Sequence, residues 1–488
     1  MTGEKMHHQT TVDELESILE ASERAAAALR GSSREQRATY LRAAADGLDA
    51  SVEQLVPVGQ RETHLPEGRL RGELQRTTFQ LRLIAEVIED GSYLDARVDH
   101  ADDAWPMGAP RPDLRRTQVP LGPVAVFSAS NFPFAFSVAG GDSASALAAG
   151  CPVVVKAHDG HRELSAMTGE IVARSLREAG APDGAFAVVF GTDAGIRLVQ
   201  HERIAAAGFT GSIQGGRALF DLAQARPVPI PFYGELGSNN PVFVTEAADR
   251  ARGTQIAEQY VGSFTLGSGQ FCTKPGAIFV PRGSRLLEAL RETALPQTGP
   301  LLNERIREGY LASIEELQER GAEQLVRGDD PSGDVPSPIL FLTDADAVLA
   351  DPSGMLAECF GPASLVVEYD SEDQLPVLAR ALDGQLTATV HGEEDCDVTA
   401  LVDALSVRAG RVLWNQWPTG VSVTYAQQHG GPYPASTASS TTSVGTAAIF
   451  RFVRPVAFQG FPERLLPDEL REQPERSVSR MVDGARVS

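Results

Sequence analysis

Three short stretches place reactive side chains where they could do chemistry. In "GSGQFCTKPG" (267–276) a cysteine, Cys272, stands among glycines beside a lysine. A thiolate nucleophile must be reachable, and flanking glycines let a flat ligand approach the backbone closely. A free cysteine can equally be a small buried hydrophobe. In "YGELGSNNPV" (233–242), Glu235 follows a Pro-rich apolar run. A partly desolvated carboxylate there has its pKa raised toward the range of a general base; an open loop would simply solvate it. In "SASNFPFAFSVAGGD" (128–142), Asn131 sits at the end of an expected strand. Its amide could donate to a developing oxyanion, or cap the helix that follows.

Two further stretches suggest a bound phosphate-bearing ligand. "GFTGSIQGG" (208–216) puts Gly211 after a strand and Gly216 at a helix start, where a pyrophosphate can rest. In "PVVVKAHDG" (152–160), Lys156 ends another strand, the place where ligands of open α/β sheets bind. His158 and His161 are half of a metal site at most, and no second ligand cluster completes them, so no metal is expected. The four cysteines, Cys151, Cys272, Cys359 and Cys396, are far apart and form no CxxC pair, which argues against disulfides and structural zinc. Cys151 and Cys396 have no reactive setting.

These residues need a scaffold. The 488-residue chain is too long for one core. A formal charge of −22 disfavours nucleic acid and anionic membrane as partners. No signal-like leader and no long apolar run is present, so a cytoplasmic protein with reduced thiols is expected. Capping boxes at Thr11/Glu14 and Ser33/Gln36 predict two opening helices, the first with Leu15, Ile18, Leu19, Ala26 and Leu29 on one face. Residues 95–122 carry prolines and alternating charge and read as an exposed arm or hairpin. From Val124, apolar β-branched runs ("VAVFSAS", "PVVVKAH", "AFAVVFG", "RIAAAGFTGS") alternate with Ala-rich stretches, which predicts βαβ units and a parallel sheet covered on both faces. A second α/β run follows "YGELGSNNPVFV", and "TASSTTSVGTAAIFRFVRPVAFQ" reads as a late strand region.

Taken in order, "NFP", "VVVKAH", "FTGS", "ELGSNNP", "GQFCTKPG" and "ECFGP" resemble the aldehyde dehydrogenase superfamily over nearly the whole chain. Within it, "FSVAGGDSASALAAGCPVVVKAH", "HGGPYPASTASSTTSVGTAAI" and "RFVRPVAFQGFPERLLPDEL" are similar to the α-ketoglutaric semialdehyde (2,5-dioxovalerate) dehydrogenase branch, some stretches being shared with fatty-aldehyde enzymes. The resemblance implies an α/β fold with a Rossmann-type cofactor domain, an α/β catalytic domain and β-strand oligomerisation arms. It implies that Cys272 attacks the aldehyde, that Asn131 and the Cys272 N–H hold the oxyanion, and that Glu235 activates water to hydrolyse the thioester. NAD or NADP would meet Lys156 and Glu358 at its riboses and Ser212 and its neighbours at the pyrophosphate. Phe209 would lie on the adenine side, with Asp159, Thr210, Gly211, Gly216, Leu236, Gly237 and Phe360 completing the site. Phe132, Phe136 and Phe271 would wall the substrate tunnel, although core packing serves equally for Phe136.

Asp159, three residues after the ribose lysine, can accept from a 2′-OH and would repel a 2′-phosphate, which points to NAD ahead of NADP. Lys274, Arg451 and Arg454 are cations in family-like stretches, read as surface or interface residues rather than a substrate clamp. The expected domains are 1–95 with 120–236 for cofactor binding, 237–437 for catalysis, 96–119 with 438–460 for oligomerisation, and 461–488 as a tail packing across a subunit boundary. A homodimer or homotetramer follows from the exposed arms. A CoA-acylating dehydrogenase, which commonly lacks the glutamate, and a non-catalytic scaffold are the competing readings; the presence of Cys272, Asn131 and Glu235 opposes both.

Overall fold

The structure is a computed structural model that describes residues 9–329 and 335–487. Two capped helices open it. At α1 (Val12–Arg30) the Glu14 amide donates to Thr11 Oγ1 while the Thr11 amide donates to the Glu14 carboxylate at 2.8 Å. Ser33 and Gln36 repeat the arrangement at α2 (Arg34–Asp49). α3 (Val52–Thr63) and the long α4 (Glu67–Asp90) follow. Leu70, Leu74, Leu81, Ile84 and Ile88 of α4 are buried in the same core as Leu41, Ala44 and Leu48 of α2. The other face of α4 carries Arg69, Glu73 and Arg76, spaced at i, i+4 and i+7, and this face turns toward the site.

β1 (Ala96–Asp99) and β2 (Leu114–Pro120) are antiparallel and lead into the first parallel sheet. That sheet holds β3 (Val124–Phe127), β4 (Val153–Lys156), β5 (Phe186–Val189), β6 (Ala206–Thr210) and β7 (Phe232–Glu235), in the order β5-β4-β3-β6-β7. The crossovers include α5 (Gly141–Ala149), α6 (Arg162–Glu178), α7 (Thr192–Gln200) and α8 (Ile213–Gln224). The chain winds outward from β3 to β5, then returns past β3 to lay down β6 and β7. This reversal is a topological switch point, and crevices for ligands open there at the carboxyl ends of the strands. Lys156, Thr210 and Glu235 are the last residues of β4, β6 and β7.

A second sheet of seven strands comprises β8 (Val242–Val244), β9 (Ala277–Pro281), β10 (Glu323–Arg327), β11 (Ile339–Asp344), β12 (Ala363–Tyr369), β13 (Gln385–His391) and β14 (Ala409–Trp414). Only β10 runs antiparallel to its neighbour. α9 (Glu246–Thr265) connects β8 toward β9 and delivers the chain into the Cys272 loop. The arm sheet has the order β15-β2-β1-β16-β17, with β15 (Val453–Gln459), β16 (Arg480–Val482) and β17 (Ala485–Val487). The tail, read in sequence as packing across a subunit boundary, thus pairs β16 with β1 of its own chain. Among the described residues no helix is long and apolar enough to cross a membrane.

Residues 438–452, grouped in sequence with the oligomerisation arm, build into their own chain's core: Ile449 and Phe452 are buried in the same cluster as β3 and β4. Arg451, read as a surface or interface cation, is also buried. Its Nη1 donates to Asp142 Oδ1 at 2.6 Å, and its guanidinium lies 5.3 Å from the Tyr233 ring centre. The substitution Arg451→Ala leaves Asp142 buried and unpaired, with an expected loss of about 3–5 kcal/mol of stability. Denaturant titration of the two proteins measures it; a loss below about 1 kcal/mol would show the pair to be dispensable.

Candidate active site

Cys272 follows three residues of left-handed backbone, Gly267, Ser268 and Gly269, with φ of 59°, 57° and 68°. A β-carbon on Gly269 would come 2.1 Å from the Gly361 carbonyl oxygen. The sequence assigns these glycines to ligand approach; the loop itself needs them, for backbone conformation and for contact with the Gly361 turn. Ser268 tolerates its strained position with its hydroxyl exchanging hydrogen bonds with the Gly299 backbone. Behind the nucleophile, Asn240 Nδ2 donates to the Cys272 carbonyl at 2.9 Å and to the Lys274 carbonyl at 3.0 Å. Gln385 Oε1, at the start of β13, accepts from the Asn239 and Asn240 amides.

Lys274, read in sequence as a surface or interface residue, is buried beneath this loop. Its Nζ donates at 2.7 Å to the Cys359 and Ala363 carbonyls. It ties the Cys272 loop to the "ECFGP" turn and is not available to a substrate. Arg454 is exposed on β15.

At the end of β7, Glu235 is buried, 1% exposed. One carboxylate oxygen accepts from Ser443 Oγ. The other lies 2.8 Å from His429 Nε2. His429 Nε2 is also 3.7 Å from Cys272 Sγ. One ligand atom each of Glu235, Cys272 and His429 lies within 4.8 Å of the other two. Burial pushes the Cys272 thiol well above its ordinary pKa, and the Glu235 and Glu358 charges push it further; Arg76 and Arg411 oppose them. Burial alone would raise Glu235, as expected from sequence, but His429, Ser443 and Arg451 outweigh it and hold the carboxyl below its usual value. Glu235 is therefore ionised at neutral pH.

Asn131 lies in irregular chain between β3 and α5, whose N-cap is Gly140, so it caps no helix. Its Nδ2 donates to the Gln270 carbonyl at 3.1 Å, which brings the amide beside the Cys272 loop, and its own carbonyl accepts from Arg69 Nη2. The buried Glu73 carboxylate accepts from the Phe134 and Ala135 amides and so pins the same turn to α4. Phe132, Phe136 and Phe271 come together: Phe132 is 5.4 Å from Phe136 and 5.2 Å from Phe271, centre to centre, both edge-on. The Arg69 guanidinium covers Phe132 and Phe271, and Arg76 covers Phe136. Phe136 also lies 6.1 Å from the His429 ring.

The residues assigned to a cofactor gather at the carboxyl edge of the first sheet. Ser212 caps α8, its hydroxyl accepting from Gly215 N, with Gly211 and Ser212 exposed at the helix start. Exposed donors at a helix N-terminus beside a switch point suit a pyrophosphate. Gly216 has a packing reason as well: a β-carbon there would fall 2.1 Å from Leu236 Cδ2 and 2.9 Å from the Phe209 ring. Phe209, at 9% exposure, packs against Phe127 and Phe232 as core. Gly237 lies against Glu358, 2.4 Å from its carboxylate to a built β-carbon, and burial lifts Glu358 to about 7. Phe360 is half-buried two residues on. Lys156 Nζ lies 3.3 Å from Asp159 Oδ2, and Arg162 donates to Asp159 Oδ1 at 2.7 Å, with Asp159 exposed. His161 is buried with one ring nitrogen on Ser165 and the other on the Ala129 carbonyl, so it has none left for a metal.

Sequence reasoning missed His429, Ser443, Asn240 and the α4 face. His429 and Ser443 stand in "HGGPYPASTASSTTSVGTAAI" and Asn240 in "ELGSNNP", stretches that carry the resemblance; the α4 face left no such signal. Cys151 and Cys359 are buried, with thiols pushed up to about 11, and neither belongs to the site.

The model of the "Aldehyde dehydrogenase family" matches residues 3–448. The chain is 42% identical over 487 residues to an α-ketoglutaric semialdehyde dehydrogenase of Acinetobacter baylyi, covering 98% of this chain and 92% of that protein. It is 45% identical over 463 residues to α-ketoglutaric semialdehyde dehydrogenase 2 of Azospirillum brasilense, covering 92% and 87%. Aldehyde dehydrogenase C of Pseudomonas syringae, solved with NAD+ and octanal, shares the fold at a TM-score of 0.77 and 22% identity, over 93% of this chain and 90% of that one. The chain therefore belongs to the aldehyde dehydrogenase family, the NAD(P)-dependent oxidoreductases that act on aldehydes.

Proposed function

We propose that the protein oxidises α-ketoglutaric semialdehyde to 2-oxoglutarate through a cysteine-bound thioester. The observation that carries the chemistry is the meeting of Cys272, His429 and Glu235 within 4.8 Å, with the Asn131 amide beside the same loop. The substrate follows from the two relatives above 40% identity.

Cys272 Sγ passes its proton to His429 Nε2 and attacks the aldehyde carbon. The Asn131 amide and the Cys272 N–H receive the oxyanion. Collapse of the thiohemiacetal expels a hydride; the nicotinamide, when bound, is the acceptor. Glu235, already ionised, takes a proton from the water that attacks the thioester. The acid departs, the sulfur regains its proton from His429, and Glu235 gives up to solvent the proton it took from water. Phe132, Phe136 and Phe271 keep water from the reacting carbon until the acyl group is formed. Lys156 and Glu358 hold riboses, and Gly211 and Ser212 meet the pyrophosphate. Phe209, as core, shapes the adenine side from beneath. A thiolate, an imidazole and a carboxylate would also suit zinc; here all three are needed for proton and acyl transfer. The arm sheet, with β15 on its outer edge, is the surface on which a homodimer or homotetramer forms.

Wild type is expected to prefer this semialdehyde in kcat/KM over succinic semialdehyde, glutaraldehyde and a long-chain aldehyde. Cys272→Ala should abolish NAD reduction, a fall of roughly 10⁴-fold or more. A better long-chain substrate would move the protein to the fatty-aldehyde branch, and an active mutant would remove Cys272 from the mechanism.

His429→Gln deprives the thiol of its proton acceptor. Because the thiol is pushed well above its ordinary value, the thiolate is scarce at pH 7, and activity should fall about 10²–10⁴-fold. The loss should shrink by about tenfold per pH unit toward alkaline pH, as the thiol ionises unaided. An unaltered pH profile would assign His429 to packing.

Asp159 favours a free 2′-OH, so NAD is expected to outperform NADP. Asp159→Ala should shift the NAD/NADP ratio of kcat/KM by about tenfold toward NADP, equivalent to roughly 1.4 kcal/mol. A ratio that does not move would place cofactor choice elsewhere.

A further inference from the structure

Of the three cations weighed and set aside in sequence as a substrate clamp, Lys274 donates to two carbonyls, Arg451 is paired with Asp142, and Arg454 is exposed on β15. Two other arginines stand closer to the chemistry. Arg76 comes from the inner face of α4, and its guanidinium lies 5.3 Å from the ring centre of Phe136, a wall of the tunnel. Arg411 comes from β14, in the second sheet. Both act electrostatically on Cys272, and both bond the same short strap. Arg76 Nε and Nη2 donate to the Val421 carbonyl at 3.3 and 3.2 Å; Arg411 donates to the Pro418 carbonyl at 2.9 Å and to the Gly420 carbonyl at 3.2 Å. Two guanidiniums from distant parts of the chain thus converge on residues 418–421, at the Phe136 end of the tunnel.

In a chain of charge −22, many arginines are matched with carboxylates, as Arg42, Arg71, Arg82 and Arg115 are. The hydrogen bonds of Arg76 and Arg411 go to neutral carbonyls, and each keeps a buried nitrogen, Nη1 of Arg76 and Nε of Arg411, without a partner. Arg37 and Arg408 also bond neutral groups and keep a buried nitrogen without a partner; Arg76 and Arg411 differ in acting on Cys272. A guanidinium hydrogen-bonds a carboxylate about twice as strongly as it does a neutral oxygen, and its planar fork fits two carboxylate oxygens. Two under-satisfied cations at the end of an aromatic tunnel are therefore set for an incoming anion. Arg69 is differently employed, with its Nη2 on the Asn131 carbonyl and its Nε 3.7 Å from Glu73.

We propose that Arg76 and Arg411 together seat the carboxylate at the far end of an ω-oxo acid, exchanging carbonyls of the 418–421 strap for the substrate anion. The pair then sets substrate choice: an aldehyde ending in a carboxylate is drawn to the seat, and one ending in a methyl group leaves two charges unanswered. This rests on the aldehyde oxidation and the carboxylate-bearing substrate proposed above.

The test uses the full-length enzyme with NAD and pentanal, a neutral aldehyde, and asks how strongly 2-oxoglutarate competes. That readout does not depend on which aldehyde is the natural substrate. Arg76→Gln and Arg411→Gln should each raise the Ki of 2-oxoglutarate by about 30-fold, the fold-change that matches removing one partner of a buried charge pair. Each should lower the ratio of kcat/KM for α-ketoglutaric semialdehyde to that for pentanal by a similar factor, chiefly through KM. Arg76→Lys and Arg411→Lys, which keep the charge without the fork, should fall between wild type and the glutamine variants, and they serve if a glutamine variant does not fold. A Ki that stays within threefold of wild type in either pair of variants overturns the seat, as does a wild type that 2-oxoglutarate fails to inhibit. If the Ki rises as expected and wild type still prefers a long-chain aldehyde, the seat stands and the substrate assignment falls.

Discussion

A half-buried thiol flanked by two carboxylates resists ionisation, and much of the site can be understood as an answer to that constraint. Desolvation, Glu235 and Glu358 all act against the Cys272 thiolate. The molecule carries net negative charge, so its overall field gives no relief. Relief has to be local. It comes from an imidazole close enough to take the proton, His429, and from two guanidiniums, Arg76 and Arg411, that favour the anion. A nucleophile arranged this way is quiet at rest and becomes reactive when proton transfer and addition to the aldehyde are coupled.

Holding these groups in place is the work of polar side chains behind the site. Asn240 turns its amide onto the Cys272 and Lys274 carbonyls, while its own oxygen accepts from Ser238 and Thr387. Lys274 fastens the same loop to the "ECFGP" turn, and Glu73 fastens the "NFPF" turn to α4. Each of these groups is buried, and each finds hydrogen-bond partners, which is the condition for a polar group to be kept out of water at small cost. The result is a pair of loops whose positions are fixed by hydrogen bonds to the second sheet and to α4 and not by side-chain packing alone.

The fold was legible in the residues wherever a local rule operated. Apolar runs at 124–127, 153–156 and 206–210 had to be covered on both faces, and they are the inner strands of a parallel sheet. Thr11 with Glu14, and Ser33 with Gln36, announced two helix starts. The pieces of the site that could be read were those with a motif around them: Cys272, Glu235, Asn131. What could not be read depends on distance in the chain. His429 is 157 residues from Cys272 and Ser443 is 208 from Glu235, and no local pattern relates them. Lys274 and Arg451 were misread for the same reason. A cation on its own in sequence looks solvated, and only the fold supplies the Cys359 carbonyl or Asp142 that makes its burial tolerable. The Glu235 pKa went the other way from expectation because His429, Ser443 and Arg451, all distant in sequence, outweigh its burial.

The same reasoning bears on how an acidic protein handles anionic ligands. A dinucleotide and an oxo acid both approach against a charge of −22, and screening at physiological ionic strength, with a Debye length of about 8 Å, limits that repulsion to the last stretch of the approach. Attraction must then be short-ranged and must begin inside the cleft. The exposed helix start at Gly211 and Ser212 could offer it at the first sheet, and Arg76 and Arg411 could offer it at the 418–421 strap. The second set is not isolated from the anions of the site: the Arg76 guanidinium feels the Glu235 charge and favours the Cys272 thiolate. An acidic chain can in this way place cations where an anion could be held and still leave a buried carboxylate ionised, Glu235 being kept so by His429, Ser443 and Arg451.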